Sequence, residues 1–224
     1  MAPRAIEAVI FDLDGLLLDS ESAWDGARRE LVAARGGRWK DSATRDMLGM
    51  SSPEWSRYVR DELQVDLTPE EISDAVVEQL LAGYRERLPW LPGAQEAVRR
   101  MAAEWPLGLA SSSNKEVIEL FMRTSGLGDC FEAWVSSEEV GRGKPAPDVF
   151  LEAAARVGVD PAQAAAVEDS HNGILAAHAA GMTVMAVPNH EFPPDPEALE
   201  RADAVLDSLD ELTIDAVVRA AAPR

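Results

Sequence analysis

Four short clusters of reactive or ligating side chains stand out in this sequence, and each follows an apolar run. Asp12 and Asp14 come directly after "AVIF" and lead into Gly15. Ser111, Ser112, Ser113 and Asn114 come after "LGLA". Lys144 lies in "GRGKPAPD", downstream of the run around Val135, and Glu168 with Asp169 closes "AAAV". Carboxylates beside buried apolar segments cost free energy unless they are paired or hold a cation, so these acids need a reason to be there.

Phosphoryl transfer is the chemistry these residue types share. Asp12 and Asp169 offer the hard oxygen ligands that Mg2+ prefers, with room left for water and a phosphate oxygen. Asp12 can also attack phosphorus, splitting one hard step into two through an aspartyl-phosphate. The reaction needs positioning and charge neutralisation above all. Lys144, the Ser111 hydroxyl and nearby backbone N–H groups can supply both. Asp14 shares Asp12's side of the strand by alternation. It can protonate a leaving oxygen and then take a proton from water, while Gly15 permits a sharp backbone exit. Each cluster alone has a blander reading. An acid pair after a strand also suits a helix N-terminus, and Ser113 or Asn114 is expected to cap the helix that follows.

The elements that must position these groups can be read from periodicity. Runs at 6–11, 107–111, 133–136, 164–168 and 183–187, with a weaker one at 204–206, have strand character. Helical patterns at 114–125, 147–157, 171–180 and 209–221 lie between the later runs. Strand alternating with helix predicts a parallel sheet covered on both faces. In such a sheet the residues just past the strands' C-terminal ends meet in one crevice. The segment 20–88 breaks the rhythm with helical patterns only, at 22–35, 43–50, 53–62 and 69–87, and is too long for an ordinary crossover. "TPEE" at Thr68 carries the cap, proline and early acids of a helix start. The expected architecture is therefore α/β. A Rossmann-like parallel sheet core (1–19 and 89–224) has helices on both faces, and an all-helical cap (20–88) is inserted after the first strand.

Composition narrows the partners. Forty acids against 21 bases leave a formal charge of −19, which repels nucleic acid. No apolar stretch reaches the roughly 18 residues of a membrane span. The N-terminus lacks a signal-peptide pattern, so a cytoplasmic location is expected. Cys130 is the single cysteine, which excludes an internal disulfide and reads as a plain buried thiol. Lysine occurs only at 40, 115 and 144. Lys40 and Lys115 read as solvated.

"FDLDG", "LASSSN", "GKPAPD" and "VEDSHNGI", in that order, resemble the four signature motifs of the haloacid dehalogenase superfamily. The helical insertion resembles that of its small-cap subgroup, which includes β-phosphoglucomutase and sugar-phosphate phosphatases. The resemblance covers essentially the whole chain. It implies Asp12 as nucleophile and metal ligand, and Asp14 as acid/base whose backbone carbonyl also binds metal. It further implies Ser111 as phosphate ligand, helped by Ser112 and Asn114. Lys144 would neutralise nucleophile and phosphoryl group, and Asp169 would hold Mg2+ with Glu168 as a ligand or supporting partner. Asp14 and the Glu168–Asp169 pair favour attack at phosphorus over the carbon chemistry of the dehalogenases.

Two cap positions depart from the mutase branch: Trp24 stands where β-phosphoglucomutase has a histidine, and Ser52 where it has an arginine for a second phosphate. The expected activity is Mg2+-dependent hydrolysis of a small sugar or polyol phosphate by a monomer. A phosphosugar mutase is the alternative. A receiver-like signalling protein is disfavoured by the cap and by Asp14. Asp19, Ser20 and Glu21 are expected at the hinge, and Trp24, Met50 and Trp55 on the substrate side. Trp39, Trp90, Trp105 and Trp134 are expected to pack, and His171 to cap its helix.

Overall fold

A computed structural model describes residues 5–47, 50–190 and 193–222. Six parallel strands form one sheet in the order β3-β2-β1-β4-β5-β6. They are β1 (Ala8–Phe11), β2 (Leu107–Ser111), β3 (Phe131–Ser136), β4 (Ala164–Glu168), β5 (Thr183–Ala186) and β6 (Ala204–Val205). β1 and β4 are side by side near the middle of the sheet, and every residue of both is buried. Strands covered on both faces have no solvated side to mark, which is why they read as continuous apolar runs.

The helices are α1 (Glu21–Ala34), α2 (Ala43–Met47), α3 (Ser52–Asp61), α4 (Pro69–Glu86), α5 (Ala94–Ala102), α6 (Lys115–Thr124), α7 (Asp148–Val157), α8 (His171–Ala179), α9 (Pro196–Leu199) and α10 (Ile214–Ala220). No helix among the described residues is long and apolar enough to cross a membrane. Element types follow the sequence reading, with ends shifted by a residue or two, except at α9, where the proline-rich stretch 188–200 reads as loop. The end of the helix expected at 43–50 includes residues 48–49, which lie outside the described residues. One expectation fails: 209–221 is not a single helix. A 3-10 turn at Leu209–Glu211 precedes α10, because Thr213 restarts the helix with its hydroxyl accepting from the Ala216 N–H.

Alternation along β1 divides the core between the two faces. Ile10 points to a layer of small residues on α7 and α8, among them Ala153, Ala154, Ala176 and Ala177. The alanine enrichment of the sequence thus lets these helices lie close to the sheet. Val9 and Phe11 point the other way, into one continuous cluster shared with α5, α6 and the interior of α1, α3 and α4. α1 and α3 both pack on α4, and α4 also packs on α6. α4 begins with the Thr68–Glu71 capping box and Pro69, as "TPEE" predicted.

The chain crosses between cap helices and sheet twice, and the two crossings lie side by side. Asp19 N–H donates to Pro89 O at 2.7 Å, and Leu91 N–H donates to Leu17 O at 3.0 Å. Asp19 is exposed there, while Ser20 is buried.

Candidate active site

The sheet brings the four clusters together through its register. Phe11 sits level with Leu109 and Val167, so the residues that follow them leave the sheet at one edge. Asp12 N–H still donates to Val167 O at 3.0 Å, which holds this acid to the strand direction. Past it, "LDGLLL" curls into a tight turn in which Gly15 takes φ +79°. A Cβ at Gly15 would stand 2.4 Å from Asp169 Oδ2, so glycine is needed both for conformation and for closeness.

Lys144 is the hub. Its Nζ donates to Asp12 Oδ1 at 2.6 Å, to Glu168 Oε1 at 2.6 Å and to Ala110 O at 3.1 Å. These three bonds use all the donors an ammonium has. Burial alone would lower its pKa, but the charges of Asp12 and Glu168 outweigh that and raise it. Lys144 therefore stays protonated.

Glu168 is fully buried, and its second oxygen accepts from the N–H groups of Asp169 and Ser170 and from Ser170 Oγ. A Cβ on Gly173 would overlap this carboxylate, so the glycine of "SHNGI" makes room for it. Ser170 Oγ in turn caps α8 by accepting from Gly173 N–H. The expected capping role of His171 thus belongs to its neighbour. His171 instead reaches the cavity wall, with Nδ1 3.5 Å from Asp195 Oδ2.

One oxygen each of Asp12, Glu168 and Asp169 falls within a 4.8 Å cluster. With Lys144 ionised and all three acids ionised, the group carries two net negative charges in a buried place. Burial pushes the Asp12 carboxyl up to about 8; Lys144 pulls against this, and the charges of Glu168 and Asp14 add to it. Burial raises Asp169 well above the ordinary range, with Glu168 and Asp12 contributing. Asp169 Oδ1 is buried with no hydrogen-bond partner. An orphaned carboxylate oxygen beside other hard oxygen donors fits a divalent cation of the Mg2+ kind. Such an ion would offset the surplus charge.

Asp14 is half-buried and faces the same cavity. Its Oδ1 accepts from Trp24 Nε1 at 3.1 Å, and its Oδ2 from Ser111 Oγ at 3.2 Å and Ser113 Oγ. Ser111 is fully buried, its hydroxyl donating to Asp14 and accepting from Ser113 N–H. Ser112 and Ser113 line the cavity directly. Asn114 does not. Its Oδ1 accepts from Ser52 Oγ at 2.7 Å, and its Nδ2 donates to Ser73 Oγ and Glu138 Oε1. The amide is used up in tying α3 and α4 to the sheet edge, which corrects the expectation of a phosphate ligand there. It also forms no side-chain cap; Glu138 takes the Lys115 N–H instead.

Above the acids lies a cavity of about 850 Å³ between the sheet edge and the cap helices. Trp24, Met50 and Trp55 line it as expected. The four other tryptophans pack against the core, Cys130 is half-buried, and Lys40 pairs with Glu62 in solvent. Sequence reasoning missed Ser113, Glu21 and Arg28, all three on the cavity wall. Arg28 lies one helical turn beyond Trp24, so their sharing a face was legible. That α3 would bring Trp55 to its other side was not. Ser52 stands where the mutase branch has its arginine, yet the cap does present a buried arginine to the cavity, from α1.

Comparison with known proteins agrees with this geometry. Residues 6–181 match the haloacid dehalogenase-like hydrolase family. Hexitol phosphatase B of Escherichia coli is 38% identical, over 94% of this chain and 96% of its own length. The fructose-1-phosphate phosphatase of the same organism is 32% identical, over 80% of this chain and 95% of its own length. CbbY of Rhodobacter sphaeroides, solved with phosphate, superposes with a TM-score of 0.84 at 28% identity, over 95% of this chain and 99% of its own. The chain belongs to the haloacid dehalogenase-like hydrolases, in the small-cap branch that holds the sugar-phosphate phosphatases.

Proposed function

We propose that this protein is a Mg2+-dependent phosphomonoesterase acting on a small sugar or polyol phosphate through an aspartyl-phosphate on Asp12. The observation that carries this reading is the Lys144 hub. It binds Asp12 Oδ1 and leaves Oδ2 as the attacking oxygen, beside a carboxylate group that fits a divalent cation. Named relatives that act on hexitol and fructose 1-phosphates support the substrate class.

In the first step Asp12 Oδ2 forms a bond to phosphorus as the bond to the substrate's ester oxygen breaks. Asp14 gives that oxygen its proton. In the second step water attacks phosphorus and Asp14, now a carboxylate, takes the water's proton. The Asp12–phosphorus bond breaks and inorganic phosphate leaves. Lys144 holds the nucleophile in place and offsets charge on the phosphoryl oxygens. Ser111, Ser112, Ser113 and neighbouring backbone N–H groups orient them. Asp12, Asp169, the Asp14 carbonyl and Glu168, directly or through its neighbours, would hold Mg2+. When bound, the ion neutralises charge on the transferring group and keeps Asp12 ionised.

The Trp24–Asp14 hydrogen bond runs from cap to catalytic turn, so cap placement and proton-shuttle orientation are coupled. Phosphate release over a panel of sugar and polyol phosphates with Mg2+ tests the proposal, with Asp12→Asn as control. The variant should lose about 10⁴-fold or more in kcat. Undiminished turnover by Asp12→Asn overturns the nucleophile assignment. A wild-type protein that splits no phosphomonoester overturns the activity.

A further inference from the structure

Arg28 is an unsatisfied cation in the wall of the substrate cavity. It is 7% exposed, and its guanidinium carbon lies 5.2 Å from the Trp24 ring centre and 4.8 Å from that of Trp55. The two indoles are themselves edge-to-face at 5.9 Å, and the guanidinium packs against both rings. Its Nε is buried without a hydrogen-bond partner, and no side chain among the described residues pairs with the group as a salt bridge. The buried Nε left without an acceptor is costly, and the two Nη groups make no hydrogen bond to the described residues. Arg28 borders the cavity, so its Nη groups are the donors that water or a ligand there can reach.

We propose that Arg28 is the specificity-determining residue of the cap, donating to hydroxyl oxygens at the end of the substrate remote from its phosphoryl group. This rests on the phosphomonoesterase reading and names the substrate as polyhydroxylated and uncharged beyond the phosphate. The charges around Arg28 favour a neutral acceptor over a second anion. Glu21, Asp25 and Asp14 all act on it electrostatically, and Glu21 lines the same cavity. Arg45 and Asp41, both exposed, also line this cavity. A second phosphate would meet these acids, whereas a hydroxyl can accept from Arg28 and donate to Glu21 at once. The Trp24 ring beside them offers an apolar face to the carbon side of a sugar or polyol.

The test compares Arg28→Met and Arg28→Lys with wild type on hexitol and hexose phosphates, on ethyl phosphate and on a hexose bisphosphate. Folding is checked by near-UV circular dichroism. For the polyol and hexose monophosphates, Arg28→Met should lower kcat/KM by about 10- to 100-fold, mostly through KM. The loss on ethyl phosphate should be at least tenfold smaller, and Arg28→Lys should recover part of the discrimination. Equal losses on all substrates would make Arg28 a packing residue and overturn the proposal. So would a loss confined to the bisphosphate, which would make the acceptor an anion. A wild-type enzyme that hydrolyses ethyl phosphate but shows no preference for hydroxylated esters overturns only the role of Arg28. One that hydrolyses neither overturns the parent reading, and this inference with it.

Discussion

The floor and the roof of the cavity hold charge in opposite ways. On the floor every donor of Lys144 has an acceptor, and both Glu168 oxygens are engaged. The roof carries Arg28 packed against two indoles, its Nε without an acceptor. Except for Lys144, which the loop after β3 carries back over the sheet edge, the floor is built from residues within a few positions of strand ends, so backbone register brings them together. The roof is built from side chains on α1 and α3 that meet only because both helices pack on α4. The difference teaches where each job resides: the floor centres on a lysine whose donors are all engaged and keeps Asp169 Oδ1 open, whereas the roof keeps its cation open toward the cavity.

The sharpest way to break this contrast is to remove each cation in turn. Lys144→Met leaves Asp12 and Glu168 buried and uncompensated, and should cost about 3–5 kcal/mol of stability. Urea unfolding in EDTA measures this, and added Mg2+ should restore part of it. Arg28→Met breaks no hydrogen bond and loses only stacking and attraction to Glu21, Asp25 and Asp14, which relief of desolvation offsets, so its cost should stay within about 1 kcal/mol. Equal costs for the two variants would erase the distinction.

Acidity sharpens the comparison on the roof side. Burial pushes the Glu21 carboxyl up to about 7, with Asp14, Asp25 and Asp19 adding to it and Arg28 opposing. A carboxyl with a raised folded-state pKa binds more protons folded than unfolded between its ordinary value and the raised one. Stability is therefore lost as pH rises from about 4.5 to 7, and this loss is about 1–3 kcal/mol for a shift of that size. Wild-type protein should show a steeper decline across this range than Glu21→Gln, read by urea unfolding in EDTA. Parallel pH profiles would contradict it.

The smallest effect belongs to the seam between the two regions. Ser52→Ala removes the donor to Asn114 Oδ1, and should cost about 1 kcal/mol in urea unfolding. A two- to threefold rise in KM with kcat little changed is expected if the contact helps hold the cap down. A kcat loss as large as that of a floor residue would place the seam in the chemistry instead.

Much of the floor was legible in advance because it depends on short-range facts. An acid after an apolar run must leave the sheet at its C-terminal edge, and parallel strands share that edge. Asp12, Asp14, Lys144 and Asp169 could be assembled on that ground and all four line the cavity, whereas Ser111, expected with them, lies buried against Asp14. Asn114 was misassigned because a polar residue at a strand end can turn either way, and only the packed cap supplies Ser52 and Ser73 to turn it outward. Arg28 was invisible for the same reason. A charged residue four positions from a tryptophan is ordinary on a helix surface, until a second helix buries it.

The amino-acid sequence by itself thus determined the element order, the parallel sheet and the set of acids, hydroxyls and lysine gathered at one edge. Periodicity and register act over a few residues at a time, and a sheet turns them into place. Tertiary structure alone decided which side chains close the cavity, Trp55 beside Trp24 with Arg28 against both, and it drew Asn114 away to the cap. Those contacts depend on how the two crossings at 17–19 and 89–91 aim one bundle of helices at the sheet edge.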